Sequence, residues 1–142
     1  KRKMSYNHFE NNKQWLYNKI NEILDKHEGE NGIIHTASFN LTLKIRDNLS
    51  PKNKKRVFVY SGTEEKRAVL DIMKSEKGKI IMGPSILEGL DLRDDWSRFQ
   101  IFAKIPYLSL SDQFVKTKLS INPNWYRWKS IINILNSTLI MK

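Results

Sequence analysis

The chain has 142 residues, of which 39% are hydrophobic and 11% aromatic, enough to fill the core of one globular domain. It contains no cysteine, which excludes a disulfide framework, a thiolate nucleophile, an iron–sulfur cluster and a cysteine zinc site within these residues. Lysine and arginine outnumber aspartate and glutamate by 25 to 15, and this net charge of +10 favours a polyanionic partner, with nucleic acid the leading candidate.

Two further observations bound the class of protein. An AT-rich genome would also produce a lysine-rich and asparagine-rich composition, so charge alone does not choose the partner. No apolar run approaches the roughly 20 residues that span a bilayer, and the basic start of the chain is followed by polar residues rather than by a signal core. We therefore expect a soluble, cytoplasmic protein without a membrane partner.

The first half of the chain alternates helical and strand patterns. Apolar residues at helical spacing predict an amphipathic helix from Asn12 to His27, and the run from Gly32 to Thr36 is typical of a short buried strand. A second helical pattern follows until Ser50-Pro51 ends it. The basic run from Lys52 to Arg56 is interpreted as a surface turn before a strand from Val57 to Tyr60.

The second half continues the alternation. A helix that Ser61 or Thr63 can cap ends at Gly78, and two strands and two helices follow it. Their predicted bounds are Lys79 to Met82, Phe99 to Ile105, Ser111 to Ser120, and Trp125 to Asn136. Strands separated by single helices need right-handed crossovers, so the pattern predicts an α/β fold with a parallel sheet and helices on both faces. We expect one domain over residues 1–142, with residues 1–11 flexible.

The candidate binding residues follow the strands, because the carboxyl ends of parallel strands meet at one edge where ligands bind. Hydroxyls and backbone amides there suit phosphate oxygens, and a carboxylate such as Asp91 suits a ribose hydroxyl or a positioning arginine. The candidates after the four strands are His35, Thr36 and Ser38, then Ser61 and Gly62, then Ser85 through Asp91, and finally Pro106-Tyr107.

Each candidate also has a structural interpretation. Ser85 and Asp91 can simply satisfy backbone groups of their turn, and His35 fits a hydrogen-bonded core histidine better than a ligand or base. Arg98 beside Asp94 and Asp95 suggests an ion pair. The segment Trp125-Tyr-Arg-Trp128 could stack bases, but with Ile131, Ile132 and Leu135 it follows helical spacing, which favours core packing.

Four ordered segments resemble the second motor domain of superfamily 2 DNA helicases, in particular the DinG/Rad3/XPD-like branch. They are His27 to Thr36, Gly83-Pro-Ser-Ile-Leu-Glu-Gly-Leu-Asp-Leu92, Asp94-Asp95, and Arg98-Phe-Gln-Ile-Phe-Ala-Lys-Ile-Pro-Tyr107. The similarity runs from about Asn12 to Asn136. It implies a three-layer RecA-like domain with a mostly parallel central sheet.

The resemblance also implies ligands. Thr36 and Ser38 would face a DNA backbone in helicase motif IV, and in motif V Ser85 would face a DNA phosphate while Glu88, Gly89 and Asp91 face the nucleotide. Single-stranded DNA would cross this domain and a first motor domain, present in cis or in trans. ATP and magnesium would bind only together with that first domain, whose ATP-binding loop and acidic magnesium motif are absent here.

The end of the chain departs from the family pattern. Where the family has a Gln-x-x-Gly-Arg-x-x-Arg motif, this chain has Asn136, Leu139 and Ile140, and residues 137–142 form an atypical, truncated end. An apolar side chain cannot stabilise phosphate charge, so we expect no ATPase activity from these residues alone. The chain is then a helicase fragment or a stand-alone nucleic-acid-binding module; an unrelated enzyme acting on a small phosphorylated ligand is a further alternative.

Overall fold

A computed structural model of the chain describes residues 6–60, 63–84 and 94–139. Within these ranges the structure has six α-helices and four β-strands. They are α1 (Tyr6–Lys26), β1 (Gly32–His35), α2 (Phe39–Asp47), α3 (Pro51–Lys54), β2 (Val57–Val59), α4 (Thr63–Ser75), β3 (Ile80–Gly83), β4 (Phe99–Phe102), α5 (Gln113–Ile121) and α6 (Pro123–Leu139), with a 3-10 turn at Asp94–Trp96 before β4.

The four strands form one parallel sheet in the order β2-β3-β1-β4. In this register Gly32 of β1 lies beside Ile80 of β3 on one side and Phe99 of β4 on the other. The chain moves one way across the sheet from β1 to β2 and the other way from β2 to β4, so right-handed crossovers place helices on both faces. The predicted α/β, RecA-like class is confirmed.

The core has two apolar layers, one on each face of the sheet, because alternate residues of a strand point to opposite faces. One layer joins α1 and α2 to the sheet, and its fully buried members include Ile20, Leu24, Ile34, Ile45 and Ile80. The other layer joins α4 to the opposite face through Val69, Met73, Ile33, Tyr60 and Ile81. The strands read as continuous apolar runs because both faces are covered.

Polar side chains fix the ends of the helices. Ser38 caps α2 by accepting a hydrogen bond from the Leu41 amide, and Asp112 caps α5 in the same way. The buried Asn31 joins α4 to β3: its amide nitrogen donates to the Met73 and Glu76 carbonyls, and its oxygen accepts from the Lys79 amide. These bonds close the edge of the sheet where the strands begin.

The structure differs from the sequence prediction in three places. Helix α1 begins at Tyr6, ahead of the predicted Asn12. The run from Lys52 to Arg56 is not a solvated turn throughout, because it contains α3 and because Arg56 is 8% exposed and hydrogen bonded to four carbonyl groups. The predicted core packing of α6 is wrong for four exposed residues, Trp128, Ile131, Ile132 and Leu135.

No helix in the described part of the chain is both long and apolar enough to cross a membrane.

Candidate functional site

The end of β1 is bound to the ends of both neighbouring strands. The Thr36 amide donates to the carbonyl of Gly83, the last residue of β3, at 3.2 Å, and the amide of Ala103, just after β4, donates to the His35 carbonyl at 2.9 Å. The segments that leave these three strands therefore start side by side at one edge of the sheet. This is the edge at which an open parallel sheet binds ligands.

Thr36 stabilises the turn between β1 and α2 through hydrogen bonds of its buried side chain. Its side chain is fully buried, and its hydroxyl shares a hydrogen bond of 2.6 Å with the Thr42 hydroxyl and lies 3.3 Å from the Ser38 carbonyl. The next residue, Ala37, has a φ of 64°, a left-handed conformation that is uncommon for residues other than glycine. This combination turns the chain sharply, so that α2 starts at the surface.

The first turn of α2 is exposed to solvent. Ser38, Phe39 and Asn40 are all exposed, and the Ser38 hydroxyl accepts a hydrogen bond from the Leu41 amide at 3.3 Å. The first amides of a helix have no acceptor within the helix, and the helix dipole adds partial positive charge there. Such a helix start can bind a phosphate oxygen.

A groove of about 380 Å³ runs along this helix start. Helix α1 contributes Phe9 and Glu10, α2 contributes Asn40 and Lys44 together with its N-cap Ser38, and the segment after β4 contributes Lys104. The Lys44 ammonium lies 5.4 Å from the centre of the Phe9 ring, within range of a cation–π contact. The groove thus combines two cations, hydrogen-bonding groups and an aromatic wall.

Glu10 is the acidic residue of this groove. Its carboxylate forms an ion pair with Lys13 of the same helix. The pKa of Glu10 is lowered, mainly by the hydrogen bond and charge of Lys13 and to a smaller extent by Lys44. The Glu10 carboxylate therefore stays ionised at neutral pH and opposes the charge of Lys44.

His35 lies behind the turn and is 4% exposed. Its Nε2 is 3.1 Å from Gln100 Oε1, and its ring stacks on Phe102 with a centroid distance of 4.4 Å. Burial lowers the pKa of His35 to about 4. His35 is therefore a neutral, hydrogen-bonded core residue, as the sequence indicated.

The predicted site residues are only partly described by the structure. Ser38 lies in the groove, whereas the Thr36 hydroxyl is turned into the fold. The candidates Ser61 and Gly62 and the residues from Ser85 through Asp91, which include Glu88 and Gly89, lie outside the described residues. Their roles stay predictions.

Sequence reasoning missed most of the groove. Asn40 and Lys44 are one helical turn apart, so their helical spacing was a usable signal. Lys104 follows β4, which was predicted to continue to Ile105, and Phe9 precedes the predicted start of α1. Lys104 and Phe9 lie beside α2 only in the folded domain, where their positions depend on the order of the strands and the packing of α1.

The helicase C-terminal domain family matches residues 20–129, a range that contains all four strands and most of the groove. The chain belongs to the helicase C-terminal domain family. The resemblance to the second motor domain of superfamily 2 helicases of the DinG/XPD-like branch is thereby confirmed. Comparisons with curated proteins and with solved structures gave no match.

The residues that match the family include most, but not all, of the lining of the groove in this helicase domain. Ser38, Asn40, Lys44 and Lys104 lie within the matched residues, whereas Phe9 and Glu10 precede them. Within the described residues, no group of three or more histidine, aspartate or glutamate side chains is placed to hold a metal ion. The part of the groove within the matched residues contains both of its cations, Lys44 and Lys104.

Proposed function

We propose that this helicase C-terminal domain binds the backbone of single-stranded DNA in the groove at the start of α2, as the second motor domain of an ATP-dependent helicase. ATP and magnesium engage it only together with a first motor domain, in cis or in trans, with Glu88, Gly89 and Asp91 on the nucleotide side. The observation that carries the proposal is the convergence of Lys44, Lys104 and the start of α2 on one groove.

The chemistry of the groove suits a phosphodiester strand. Lys44 and Lys104 supply charge, while Ser38 and Asn40 supply hydrogen-bonding groups on an exposed helix start. Contacts of this kind bind the backbone without reading its sequence, as expected for a motor that moves along DNA. Phe9 offers a ring on which one base can stack beside the backbone.

We expect the double variant Lys44→Gln/Lys104→Gln to bind single-stranded DNA about tenfold more weakly at low salt, because each lysine contributes a charge-assisted contact to a phosphate. The slope of log K against log salt should become shallower by about 1.4, since about 0.7 of a counterion is released per neutralised phosphate of a single strand. Fluorescence anisotropy with a labelled oligonucleotide over a salt series measures both quantities.

The matched control is Lys52→Gln. It removes the same charge from α3, where Lys52 pairs with Glu28 near the opposite edge of the sheet. If Lys52→Gln weakens DNA binding as much as Lys44→Gln alone or Lys104→Gln alone, the strand is attracted by net charge alone and the groove proposal fails.

Glu10→Gln should have the opposite effect and tighten DNA binding severalfold, because it removes the anion that opposes Lys44 in the groove. Glu22→Gln is its control, since Glu22 lies on the same helix and pairs with Lys19 and Lys26 but does not line the groove. Anisotropy titrations of the two variants at the same ionic strength make the comparison. An equal response of both would show that only overall charge matters.

The alternative function is a stand-alone nucleic-acid-binding module without ATPase activity. The groove serves that function equally well, so strand binding does not separate the two. Adding a first motor domain distinguishes the two functions. The DNA affinity of a helicase domain should then change when ATP is bound and hydrolysed, whereas the DNA affinity of a stand-alone module should not respond to ATP.

A further inference from the structure

Helix α6 carries an apolar stripe on its exposed side. Its members are Trp128, Ile131, Ile132 and Leu135, which are 61%, 44%, 43% and 51% exposed. Spacings of three and four residues place them on one face of the helix. We call these four side chains the α6 stripe.

The other face of α6 is turned to the protein. Ser130 is 1% exposed and donates a hydrogen bond to the Tyr126 carbonyl. The Tyr126 hydroxyl donates to the Leu108 carbonyl, and the Tyr126 ring stacks on Tyr107 at 5.4 Å. One side of helix α6 therefore packs against the protein, and the α6 stripe lies on the side that is exposed to solvent.

Helix α5 extends the apolar surface. Phe114, which is 61% exposed, meets the edge of Trp125 at a centroid distance of 6.1 Å. Trp125 precedes Trp128 by three residues and lies on the same side of α6. The apolar surface thus runs from Phe114 along the whole α6 stripe, and contiguous surfaces of this kind mark interaction sites.

The charge around the α6 stripe has one sign. Residues 113–139 contain Lys116, Lys118, Arg127 and Lys129 but no aspartate or glutamate. Arg127 and Lys129 are exposed and stand directly beside Trp128 in the sequence. A second copy of the chain would bring these like charges together, which opposes self-association.

The chemistry of the apolar side chains favours a protein over a nucleic acid as the partner. Bases stack on rings, but three of the four members of the α6 stripe are aliphatic. Positions i, i+3, i+4 and i+7 are the pattern with which a helix packs against another amphipathic helix. The cationic flanks then call for acidic residues on the partner.

We propose that the α6 stripe is a docking surface for an amphipathic helix of another protein whose apolar face is bordered by aspartate and glutamate. The partner helix buries the α6 stripe, while its carboxylates face Arg127 and Lys129. This proposal does not depend on strand binding in the groove, which involves other residues.

The test uses two designed helical peptides with the same leucine and isoleucine face, one bordered by glutamate and the other by lysine. Each is labelled and titrated with the full chain by fluorescence anisotropy. The acidic peptide should bind at least about tenfold more tightly, as expected for complementary rather than like charges at an interface. Ile132→Ser should abolish its binding, and Lys129→Glu should reduce the preference for it.

Ile105→Ser is the matched control, because Ile105 is 46% exposed and lies outside the α6 stripe. Urea midpoints of all variants show that the fold is retained. Equal binding of both peptides, no binding of either, or equal losses with Ile132→Ser and Ile105→Ser would overturn the proposal. Two further results would also overturn it. If the chain sediments as a dimer that Ile132→Ser converts to a monomer, the occupant of the α6 stripe is a second copy of the chain. If Trp128→Ala by itself abolishes DNA binding, the occupant is a DNA strand.

Discussion

Replacement of Arg56 by methionine is expected to lower the free energy of unfolding by about 3 to 5 kcal/mol, because it removes a charged donor from four backbone carbonyls that are at least partly shielded from water. The Arg56 side chain is 8% exposed and donates to four backbone carbonyls. These belong to Leu24 at 3.1 Å, His27 at 2.7 Å, Glu30 at 2.9 Å and Gly78 at 2.7 Å.

The loss is large because Arg56 serves three segments at once. It satisfies carbonyls at the end of α1, in the turn before β1 and just before β3. Burial lowers the pKa of Arg56, whereas the nearby Glu28 and Asp25 carboxylates act in the opposite direction. Methionine fills a similar volume but donates nothing. The bond to the Leu24 carbonyl is buried and the other three are partly buried, and the His27 carbonyl still accepts from the Glu30 amide. The total loss is therefore smaller than four times the roughly 1 to 3 kcal/mol that a fully buried carbonyl without a donor would cost.

Urea unfolding monitored by circular dichroism measures this change in stability. Arg46→Met is the control, because Arg46 is exposed on α2 and its replacement should alter stability by no more than about 0.5 kcal/mol. Arg56→Lys should lie between the wild type and Arg56→Met, since an ammonium group keeps the charge but cannot reach four carbonyls in the fork geometry of arginine. A loss below about 1 kcal/mol in Arg56→Met would contradict this account of the side chain.

Sequence patterns located the strands well and the polar contacts poorly, for a physical reason. The strands are short apolar runs bounded by turn residues, and this local signal survives folding. The partners of Arg56 lie 22 to 32 residues away, so no local pattern distinguishes it from the solvated lysines before it. The basic run therefore looked uniform although its last residue is buried.

The groove shows the same limit. Ser38 could be predicted, because it closely follows the first strand and the carboxyl ends of parallel strands lie at the ligand-binding edge. Lys44 and Lys104 line the same groove because β4 lies beside β1, and the sequence order of the strands does not reveal that neighbour relation. Thr36 was predicted toward DNA, but its hydroxyl bonds to Thr42 across a turn in which Ala37 has a left-handed conformation, and a local pattern does not reveal either feature.

The stability of the domain is expected to fall as the pH decreases from about 6.5 to about 4, with His35 responsible for about 3 kcal/mol of the loss. Burial lowers the pKa of His35 in the folded state to about 4, below the ordinary value of 6.5 that the unfolded chain retains. The unfolded state therefore takes up a proton first. The contribution is fully present above pH 6.5 and is lost as the pH falls through the folded pKa.

The surroundings of His35 explain why the charged form is disfavoured. In the neutral ring Nε2–H donates to Gln100 Oε1, and Nδ1 is buried without a hydrogen-bond partner among the described residues. Protonation would place a hydrogen on Nδ1 with no acceptor to receive it, next to the stacked Phe102 ring. The charge would also be removed from water, which is the main cause of the lowered pKa.

Urea unfolding of the wild type and of His35→Leu at pH 7, 5.5 and 4.5 tests this assignment. The leucine variant cannot titrate at this position, so its stability should depend less on pH over this range although its absolute stability differs. His8→Leu, an exposed position on α1, serves as the control and should keep the wild-type pH dependence. If His35→Leu and the wild type lose stability in parallel, another group titrates, and the buried ring at the end of β1 is not the origin of the acid sensitivity.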